Sequence, residues 1–367
     1  MQRRVFNLMK LCVFGHTISS CWDLRHASVW RGLCRALGHA GHRVVFFERD
    51  HPQLAATRDE PAPAGCDLRI YRTWAEVRAI AARELADADA AMITTRCPDA
   101  RAAAELVLEA GVSVTAFHDL ESPQTVARRR AGQPVEHVGP EGYAPFDLVL
   151  SYTGGPVLRD LVEVMNARRV ETLFDSVDSA IHQPGDAHTE FAARASFLGA
   201  YSHDLHEMLD KLFFEPSRRL SEVTFALGGG GVPDSLHLPD NLRRFGPISP
   251  DRQSAFYGSS RITVNVTPRD AARAGFCPTG RLFAAAGCAV PVLTDAWDGI
   301  EVFFEPGREI FVAHSTEEAV EYLCLPDDRL AKVGRAARDR ALAEHTAEAR
   351  ARQLVDVLTE VACSRAT

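Results

Sequence analysis

Short apolar strands alternate with amphipathic helices along most of the chain, and this alternation limits the possible folds more than any other feature of the sequence. Lys10–Gly15 is largely apolar, apolar side chains then recur with the helical period between Val29 and Leu37, and Arg43–Phe47 is apolar again. A strand, a helix and a second strand in this order predict parallel strands joined by a right-handed crossover. The chain therefore opens as an α/β protein.

The alternation continues on both sides of one interruption. Around residues 173–186 the periodicity lapses, and Pro184-Gly185 marks a linker. Before the linker, further strands are predicted at 67–71, 91–95, 112–117 and 147–152, with helices at 74–85, 100–110 and 156–165. After it, strands are predicted at 196–201, 223–227, 242–245, 262–266, 289–293 and 309–312, with helices at 205–213 and 327–361. The sequence thus predicts two doubly wound α/β halves.

The length of the chain also favours two domains. At 367 residues it exceeds the size at which a single hydrophobic core usually stops growing. We expect one domain at residues 1–180, a second at 187–340, and a C-terminal helical segment at 341–367. A composition of 46% hydrophobic and 25% charged residues is that of an ordinary globular protein.

Charge and cysteine usage exclude some classes of partner. The formal net charge of -8 has the wrong sign for a protein that neutralises nucleic-acid phosphates or anionic lipid. No segment approaches the roughly 18 apolar residues of a membrane span, and Lys10 interrupts the apolar run that would make the N-terminus a signal peptide. The nine cysteines contain no C-x-x-C pair and fit reduced thiols. We expect a cytoplasmic protein that binds neither nucleic acid nor a membrane.

Several common catalytic motifs are absent. The loop after the first strand, residues 16–26, lacks G-x-G-x-x-G, which argues against a nicotinamide-dependent oxidoreductase. G-x-S-x-G, G-x-x-x-x-G-K-[ST] and H-E-x-x-H are also missing, so the motif arguments for an α/β-hydrolase, a P-loop nucleotidase and a zinc hydrolase fall away. Gly228–Gly231 follows a predicted strand, but Val232-Pro233 breaks a helix start, which favours a flexible loop over a phosphate cradle.

The loops after the strands are the candidate sites, because ligands bind beyond the carboxyl ends of the strands in open parallel sheets. In one of them, Asn265 and Thr267 end a strand, and Thr279, Gly280 and Arg281 begin a helix of small residues. Thr279 is a suitable N-cap, and the first-turn N–H groups with the Arg281 guanidinium would bind a diphosphate. Arg281 could equally pair with a nearby carboxylate while the helix packs on the sheet, and spacing alone leaves both interpretations open.

Seven short segments that follow one another in order between residues 151 and 310 are familiar: Ser151–Pro156, Asp175–Asp178, Phe197–Ser202, Ala255–Tyr257, Asn265–Thr267, Pro278–Phe283 and Gly299–Ile310. Together they resemble the spore-maturation-protein-B-like (CgeB-type) family of GT-B glycosyltransferases. The resemblance implies a GT-B fold of two Rossmann-like domains facing across a cleft, with the acceptor on the N-terminal domain and a nucleotide-sugar donor on the C-terminal one. It also implies that no metal or other cofactor is used, and that the C-terminal helix packs back toward the first domain.

The resemblance assigns further donor-site residues. Retaining relatives carry a Glu-x(7)-Glu pair around the donor helix, but by position that pair falls on Phe276 and Ala284, so both carboxylates are missing. Glu301, shortly after Gly299, is the nearest replacement for binding the ribose, although a carboxylate there could instead compensate a helix N-terminus. Four strand-end residues complete the expected donor site: Gly199, Tyr201, Phe245 and Gly246. The Phe245 ring would lie beside the nucleobase or belong to the core.

On the acceptor side, His26 begins the first helix, where inverting GT-B enzymes often place a general base, and the family pattern also has His-Ala at this position. A histidine pKa near 6.5 suits the role. Asp119, at the end of another strand, would orient the imidazole or take the proton itself. If the reaction retains configuration, no base is required and His26 would position the acceptor. A hydrogen bond from His26 to the helix backbone is the alternative.

These inferences predict a glycosyltransferase that moves a sugar from a nucleotide diphosphate sugar to a hydroxyl group of a natural product or glycan. Arg281 and the first-turn N–H groups would stabilise the leaving diphosphate. A nucleotide-sugar epimerase on the same fold is one alternative, and a non-catalytic nucleotide-sugar-binding subunit, signalled by the missing glutamates, is another. The sequence leaves open the donor sugar, the nucleobase, the acceptor, the stereochemical outcome and the oligomeric state.

Overall fold

The chain divides into two α/β units, each built on one parallel sheet. In the computed structural model of the chain, residues 8–20 and 24–365 are described, with the backbone alone for residues 24–26. The first unit comprises residues 1–174 and 347–367, and the second comprises residues 175–346. No helix within the described residues is long and apolar enough to span a membrane.

The first unit alternates strands and helices along residues 10–172. Its elements are β1 (Lys10–Gly15), α1 (Leu24–His39), β2 (Arg43–Arg49), α2 (Pro52–Ala56), β3 (Cys66–Tyr71), α3 (Trp74–Leu85), β4 (Ala90–Thr94), α4 (Ala100–Ala110), β5 (Val114–Asp119), α5 (Ser122–Arg130), β6 (Leu148–Ser151), α6 (Val157–Glu163) and β7 (Val170–Thr172). The strands pair in the order β3-β2-β1-β4-β5-β6-β7, and every pairing is parallel. The order reverses between β1 and β4.

The central strands of the first sheet are buried, and this accounts for their apolar sequences. The central strands β1 and β4 are buried along their whole length, so they are continuous apolar runs rather than alternating ones. Helices cover both faces of such a doubly wound sheet. Thr73 caps α3 by accepting a hydrogen bond from the Glu76 N–H, and Gly111 ends α4 in the left-handed conformation. The carboxyl ends of β4 and β5 therefore project from a well-packed layer.

The second unit repeats the architecture. Its elements are β8 (Ala193–Leu198), α7 (His203–Leu209), α8 (Glu215–Arg219), β9 (Phe225–Gly228), β10 (Leu242–Phe245), α9 (Pro250–Gly258), β11 (Ser260–Asn265), α10 (Arg269–Ala274), α11 (Gly280–Gly287), β12 (Val292–Asp295), β13 (Phe311–Ala313), α12 (Thr316–Leu323) and α13 (Asp327–Glu344). A π-helical turn, Asp210–Phe214, joins α7 to α8. The all-parallel strand order is β10-β9-β8-β11-β12-β13, which reverses between β8 and β11.

The observed elements follow the predicted alternation with identifiable differences. The strand predicted at 289–293 lies at Val292–Asp295, because Ala289 has a left-handed φ of 57° that a strand does not tolerate. The strand predicted at 112–117 lies at Val114–Asp119. The helical pattern at 327–361 is two helices, α13 and α14 (Ala347–Arg365), separated at the non-helical residue His345. The sequence interpretation missed α5 and α9, whose first turns contain proline, and it also missed α2, α8, α10, α12 and β7.

The unit boundaries also differ from the predicted ones at 180, 187 and 340. Residues 175–186 belong to the second unit because their side chains and backbone bond to it: the Ser254 hydroxyl, for example, donates to the Ile181 carbonyl oxygen at 2.7 Å. α13 continues to Glu344, which moves the second boundary to 346. α14 belongs to the first unit and packs on α1, where a Cβ at Gly32 would lie 3.2 Å from the Ala347 Cβ.

Candidate functional site

The candidate donor site lies at the carboxyl edge of the second sheet, at the point between β8 and β11 where the strand order reverses. Open α/β sheets bind ligands at such switch points. Arg281 bridges the two strand ends: its Nη2 donates to the Val266 carbonyl oxygen at 2.8 Å and its Nη1 to that of Leu198 at 3.3 Å. Its guanidinium also lies 5.3 Å from the centroid of the Phe197 ring. Arg281 is therefore a fixed cation at the switch point.

The start of α11 is built differently from the sequence interpretation. Thr279 has the extended backbone of an N-cap, but its side chain does not cap the helix. Its hydroxyl donates instead to Asn265 Oδ1 at 2.8 Å, and Asn265 Nδ2 donates to Thr294 Oγ1 at 3.1 Å. These bonds tie the ends of β11 and β12 to the first turn of α11. Thr279 thus positions the helix without satisfying its N–H groups.

A carboxylate occupies the N-terminus of α11. A Cβ built on Gly280, the first residue of the helix, would lie 2.1 Å from Asp175 Oδ2, and only glycine leaves room for this approach. Asp175 is buried, and its Oδ1 accepts a hydrogen bond from the Ser176 N–H at 2.8 Å. A carboxylate is stabilised at a helix N-terminus. A diphosphate bound here would meet this negative charge. The sequence near Gly280 gives no indication that the Asp175 carboxylate lies at this helix end.

A second carboxylate that sequence reasoning missed ends β12. Asp295 is buried, and its Oδ1 accepts hydrogen bonds from the Thr267 N–H at 2.9 Å and from Thr294 Oγ1 at 3.3 Å. Burial raises the pKa of this carboxyl group to about 6, although these hydrogen bonds act in the opposite direction. Its position at the end of a predicted apolar strand was the one available signal, since polar residues at strand ends face the ligand edge.

The glycine loop after β9 joins three strand ends. Gly199 N–H donates to the Gly228 carbonyl oxygen at 2.9 Å, Tyr201 N–H to that of Gly230 at 2.8 Å, and Gly229 N–H to that of Gly246 at 3.1 Å. The predicted flexible loop is thus held by backbone hydrogen bonds on both sides. Gly229 has a φ of 126°, and a side chain there would collide with the Gly199 carbonyl.

The remaining predicted donor residues lie on the same edge in two different settings. The Phe245 ring packs against Phe191, with centroids 5.1 Å apart, and against Phe256 at 6.1 Å, which favours the core interpretation. Gly299 lies against the Phe276 ring. Glu301 is exposed on the single 3-10 turn that follows Gly299. The structure therefore clusters Asn265, Thr267, Thr279 and Arg281 most tightly.

In the first unit, Asp119 ends β5 as a fully buried carboxylate. Its Oδ1 accepts hydrogen bonds from the Glu121 N–H at 2.9 Å, Thr95 Oγ1 at 3.1 Å and Thr125 Oγ1 at 3.2 Å. Its Oδ2 accepts one from the Tyr143 hydroxyl at 2.8 Å. These four bonds favour a structural role over proton transfer for Asp119. Burial beside this carboxylate raises the pKa of Tyr143.

The predicted acceptor-side base, His26, lies in the first turn of α1, and its side chain falls outside the described residues. A histidine that the sequence interpretation did not consider, His137, lies near Asp119 instead. Its Nε2 is 3.4 Å from the Tyr143 hydroxyl oxygen, and its ring stacks on Phe117 with centroids 5.3 Å apart. Burial lowers the pKa of His137, although the charges of Asp119 and Glu121 act to raise it.

The chain offers no evident metal centre in its described part, where no group of three or more His, Cys, Asp or Glu side chains is placed to hold an ion. None of the eight cysteines among the described residues forms a disulfide bond.

One protein-family model matches part of the chain, mostly within the second unit. Residues 206–356 match the family model described as "Glycosyl transferase-like". This segment contains β11, α11 and β12, and with them Asn265, Thr279, Arg281 and Asp295. Among curated proteins, none matches the sequence of the chain. The CgeB-type subfamily expected from the resemblance is not established by these matches.

Solved structures match nearly the whole chain at low sequence identity. HepE from Anabaena in complex with UDP-glucose has a TM-score of 0.66 and 12% identity, covering 96% of this chain and 100% of that one. Sucrose-phosphate synthase from Thermosynechococcus elongatus has a TM-score of 0.64 and 13% identity, covering 98% of this chain and 100% of that one. An α-glucosyltransferase in complex with UDP-glucose and DNA has a TM-score of 0.66 and 12% identity, covering 96% of this chain and 100% of that one. The predicted GT-B fold of two Rossmann-like domains is confirmed.

Proposed function

We propose that this chain is a glycosyltransferase that takes its sugar from a nucleotide diphosphate sugar. The observation that carries the proposal is Arg281, whose guanidinium bridges the ends of β8 and β11 at the switch point, inside the segment that matches a glycosyl transferase-like family model. A cation fixed in advance stabilises negative charge without reorganising during the reaction. A departing diphosphate needs such a cation, because negative charge develops on it as the sugar is transferred.

In this proposal the donor lies across the carboxyl edge of the second sheet. Arg281 and the backbone N–H groups of the first turn of α11, which the Asp175 carboxylate also approaches, face the diphosphate. Gly199, Tyr201 and Gly246, joined by the glycine loop, line the neighbouring strand ends. Glu301, exposed on its 3-10 turn, binds the ribose hydroxyls in this proposal. Transfer forms a bond from an acceptor oxygen to the anomeric carbon and breaks the bond to the diphosphate, which leaves with the electron pair.

UDP-glucose is the first donor to test, because HepE and the α-glucosyltransferase that resemble this fold were both solved with it. The acceptor is proposed to be a hydroxyl group of a small molecule or glycan, with His26 as the acceptor-side base if configuration inverts. We further propose that the reaction is independent of metal ions and occurs in the cytoplasm. Activity that survives a large excess of EDTA supports the first of these points, and loss of activity that Mg²⁺ or Mn²⁺ restores contradicts it.

The test begins with binding. Thermal unfolding is followed with UDP, ADP, GDP and TDP, because a ligand that binds only the native state raises the free energy of unfolding, by about 2.7 kcal/mol at one hundred times its Kd. UDP-glucose is then incubated with and without an acceptor panel, and products are identified by mass spectrometry and NMR. Sugar transfer to an acceptor supports the proposal. An epimerised nucleotide sugar without acceptor indicates an epimerase, and binding without any turnover across the panel indicates a binding subunit.

A further inference from the structure

A cavity lies beside Asp119 at the carboxyl edge of the first sheet. Its volume is about 400 Å³, within the range of small-molecule sites. It is lined by residues that follow β4 and β5, by α5 itself and by the segment after α5: 95–98, Glu121, Gln124, Thr125, Arg128 and 135–137. We refer to it as the Asp119 cavity. No residue predicted from the sequence as a ligand contact lines it.

One buried carboxylate organises the wall of this cavity. Asp119 itself does not line it, but three residues that do, Thr95, Glu121 and Thr125, donate hydrogen bonds to its Oδ1. A fourth, His137, is reached through the Tyr143 hydroxyl that donates to Oδ2. Side chains held by a buried network of this kind keep their geometry when a ligand arrives.

The backbone of the wall carries strain at one residue. Arg96, in the turn that follows β4, has a φ of 63°, a left-handed conformation that is uncommon for residues other than glycine. Its Nη2 pairs with Glu121 Oε1 at 2.5 Å, so the two lining residues fix each other. Backbone strain of this kind clusters at binding sites, where the surrounding structure holds the residue in place.

The lining offers hydrogen-bond donors and acceptors without a net charge. Arg96 and Arg128 supply donors only, Glu121 and Glu136 supply acceptors only, and Gln124 supplies both. A sugar hydroxyl both donates and accepts, so an uncharged ring with several hydroxyls can satisfy this mixture. A phosphate or sulfate would meet two carboxylates as well as two guanidinium groups, so the lining does not favour an anion. A flat aromatic acceptor would meet charged groups, since the nearby Phe117 ring is buried under His137.

From this lining we infer that the Asp119 cavity binds an uncharged sugar ring through its hydroxyl groups, and that this ring belongs to the acceptor. The identification of the ring as the acceptor rests on the proposed function, whereas its binding does not. Gln124 and Arg128 contact the hydroxyls, and Asp119 is a positioning residue that holds the wall. Among the acceptors proposed above, a small molecule or a glycan, this selects one that carries a sugar ring.

The test measures sugar binding to the full chain without nucleotide, by saturation-transfer NMR and calorimetry. The probes are glucose, maltose and lactose, compared with glucuronate and with hydroquinone. We expect the uncharged sugars to bind, and Gln124→Ala and Arg128→Ala each to weaken them by about tenfold, because each removes a hydrogen-bonding group from the cavity. Arg130→Ala is the matched control: Arg130 lies on the same helix but pairs with Asp160 outside the cavity, so sugar affinity should not change.

Asp119→Asn tests the positioning role. We expect it to raise the acceptor KM while the KM for UDP-glucose stays unchanged. A merely structural role would instead lower the yield of folded protein and leave both KM values of the folded fraction unaltered. If Asp119→Asn does not fold, the Gln124 and Arg128 variants still decide the binding inference.

Each outcome has a separate meaning. Sugars that do not bind, that bind equally well to Gln124→Ala and Arg128→Ala, or that are outcompeted by hydroquinone or glucuronate overturn the inference. UDP binding and sugar transfer that persist while these variants have no effect leave the proposed function standing and remove the inference. Sugar binding that the variants weaken, in a chain that binds no nucleoside diphosphate, supports the cavity assignment and removes the proposed function.

Discussion

The Asp175 carboxylate and Gly280 are in direct contact, although the linker and the helix that carry them are distant in sequence. A Cβ on Gly280 would lie 2.1 Å from Asp175 Oδ2, so the first turn of α11 is built around an internal anion. Arg281, the next residue, supplies a cation on the same turn. The affinity of this turn for a diphosphate is therefore set by a balance between Arg281, the helix N-terminus and Asp175.

This balance predicts the effect of Asp175→Asn. Removing the negative charge at the helix N-terminus should raise the affinity for UDP by about three- to tenfold, equivalent to ~1 kcal/mol, because two anions no longer share one site. The same change should lower the free energy of unfolding by about 0.3–1 kcal/mol, since α11 loses a favourable charge. Calorimetric titration with UDP and denaturant unfolding measure the two effects.

Asp178→Asn is the control for Asp175→Asn. Asp178 lies on the same linker and its Oδ1 accepts a hydrogen bond from the Ala180 N–H at 3.0 Å, so the loss of charge is equal but falls elsewhere. Its UDP affinity should match that of the unaltered chain. Unchanged or weaker UDP binding by Asp175→Asn would mean that the diphosphate does not use this helix end.

Arg281→Ala should reduce turnover by about 10²–10³-fold, the usual cost of removing one group that stabilises transition-state charge. It should also destabilise the fold by about 1–3 kcal/mol, because the Val266 and Leu198 carbonyl oxygens lose their donors. Arg281→Lys keeps the charge but loses the planar guanidinium that donates to two carbonyl oxygens, so we expect intermediate turnover. Steady-state kinetics on folded protein, checked by circular dichroism, separates the two effects.

The control for Arg281 is Arg273→Ala, since Arg273 is an exposed cation on the neighbouring helix α10 whose ion pair with Asp270 spans 3.9 Å. An exposed pair of this kind contributes little to stability. Turnover of Arg281→Ala within a few fold of the Arg273→Ala value would remove Arg281 from the proposed mechanism.

Local pattern was sufficient to predict the elements that carry this site. The apolar run before Asn265 and the helical residues after Thr279 predicted β11 and α11, and the rule for open sheets directed attention to the loop between them. The two-domain α/β fold followed from the repeated alternation. These features depend on spacing between neighbours in sequence, which is what periodicity measures.

The partners of each side chain could not be predicted in the same way. Asp175 reaches Gly280, and Asp119 gathers Thr95 and Tyr143, only because the topology brings separate loops to one edge of a sheet. No spacing rule encodes such contacts. For the same reason, Asp119 looked like a base at a strand end, whereas its four hydrogen bonds favour a structural role.

Asp295→Asn should change the pH dependence of stability. The pKa of this carboxyl group is about 6 in the folded chain, above the ordinary value of 3.8, because burial penalises the charged form. Between these two values the folded state binds more protons than the unfolded state, so this group stabilises the fold as the pH falls from about 7 toward 4. At neutral pH its ionised form costs stability, by at most about 3 kcal/mol.

Asparagine removes that cost while its side-chain oxygen still accepts the Thr267 N–H. We therefore expect Asp295→Asn to be more stable than the unaltered chain by about 1–3 kcal/mol at pH 7.5, and the difference to vanish near pH 4. Urea unfolding at several pH values measures it, with exposed Asp234→Asn as the control that should show no such trend. A destabilised Asp295→Asn at pH 7.5 would mean instead that the ionised carboxylate is a favourable part of the strand-end network, held charged by Thr267 and Thr294.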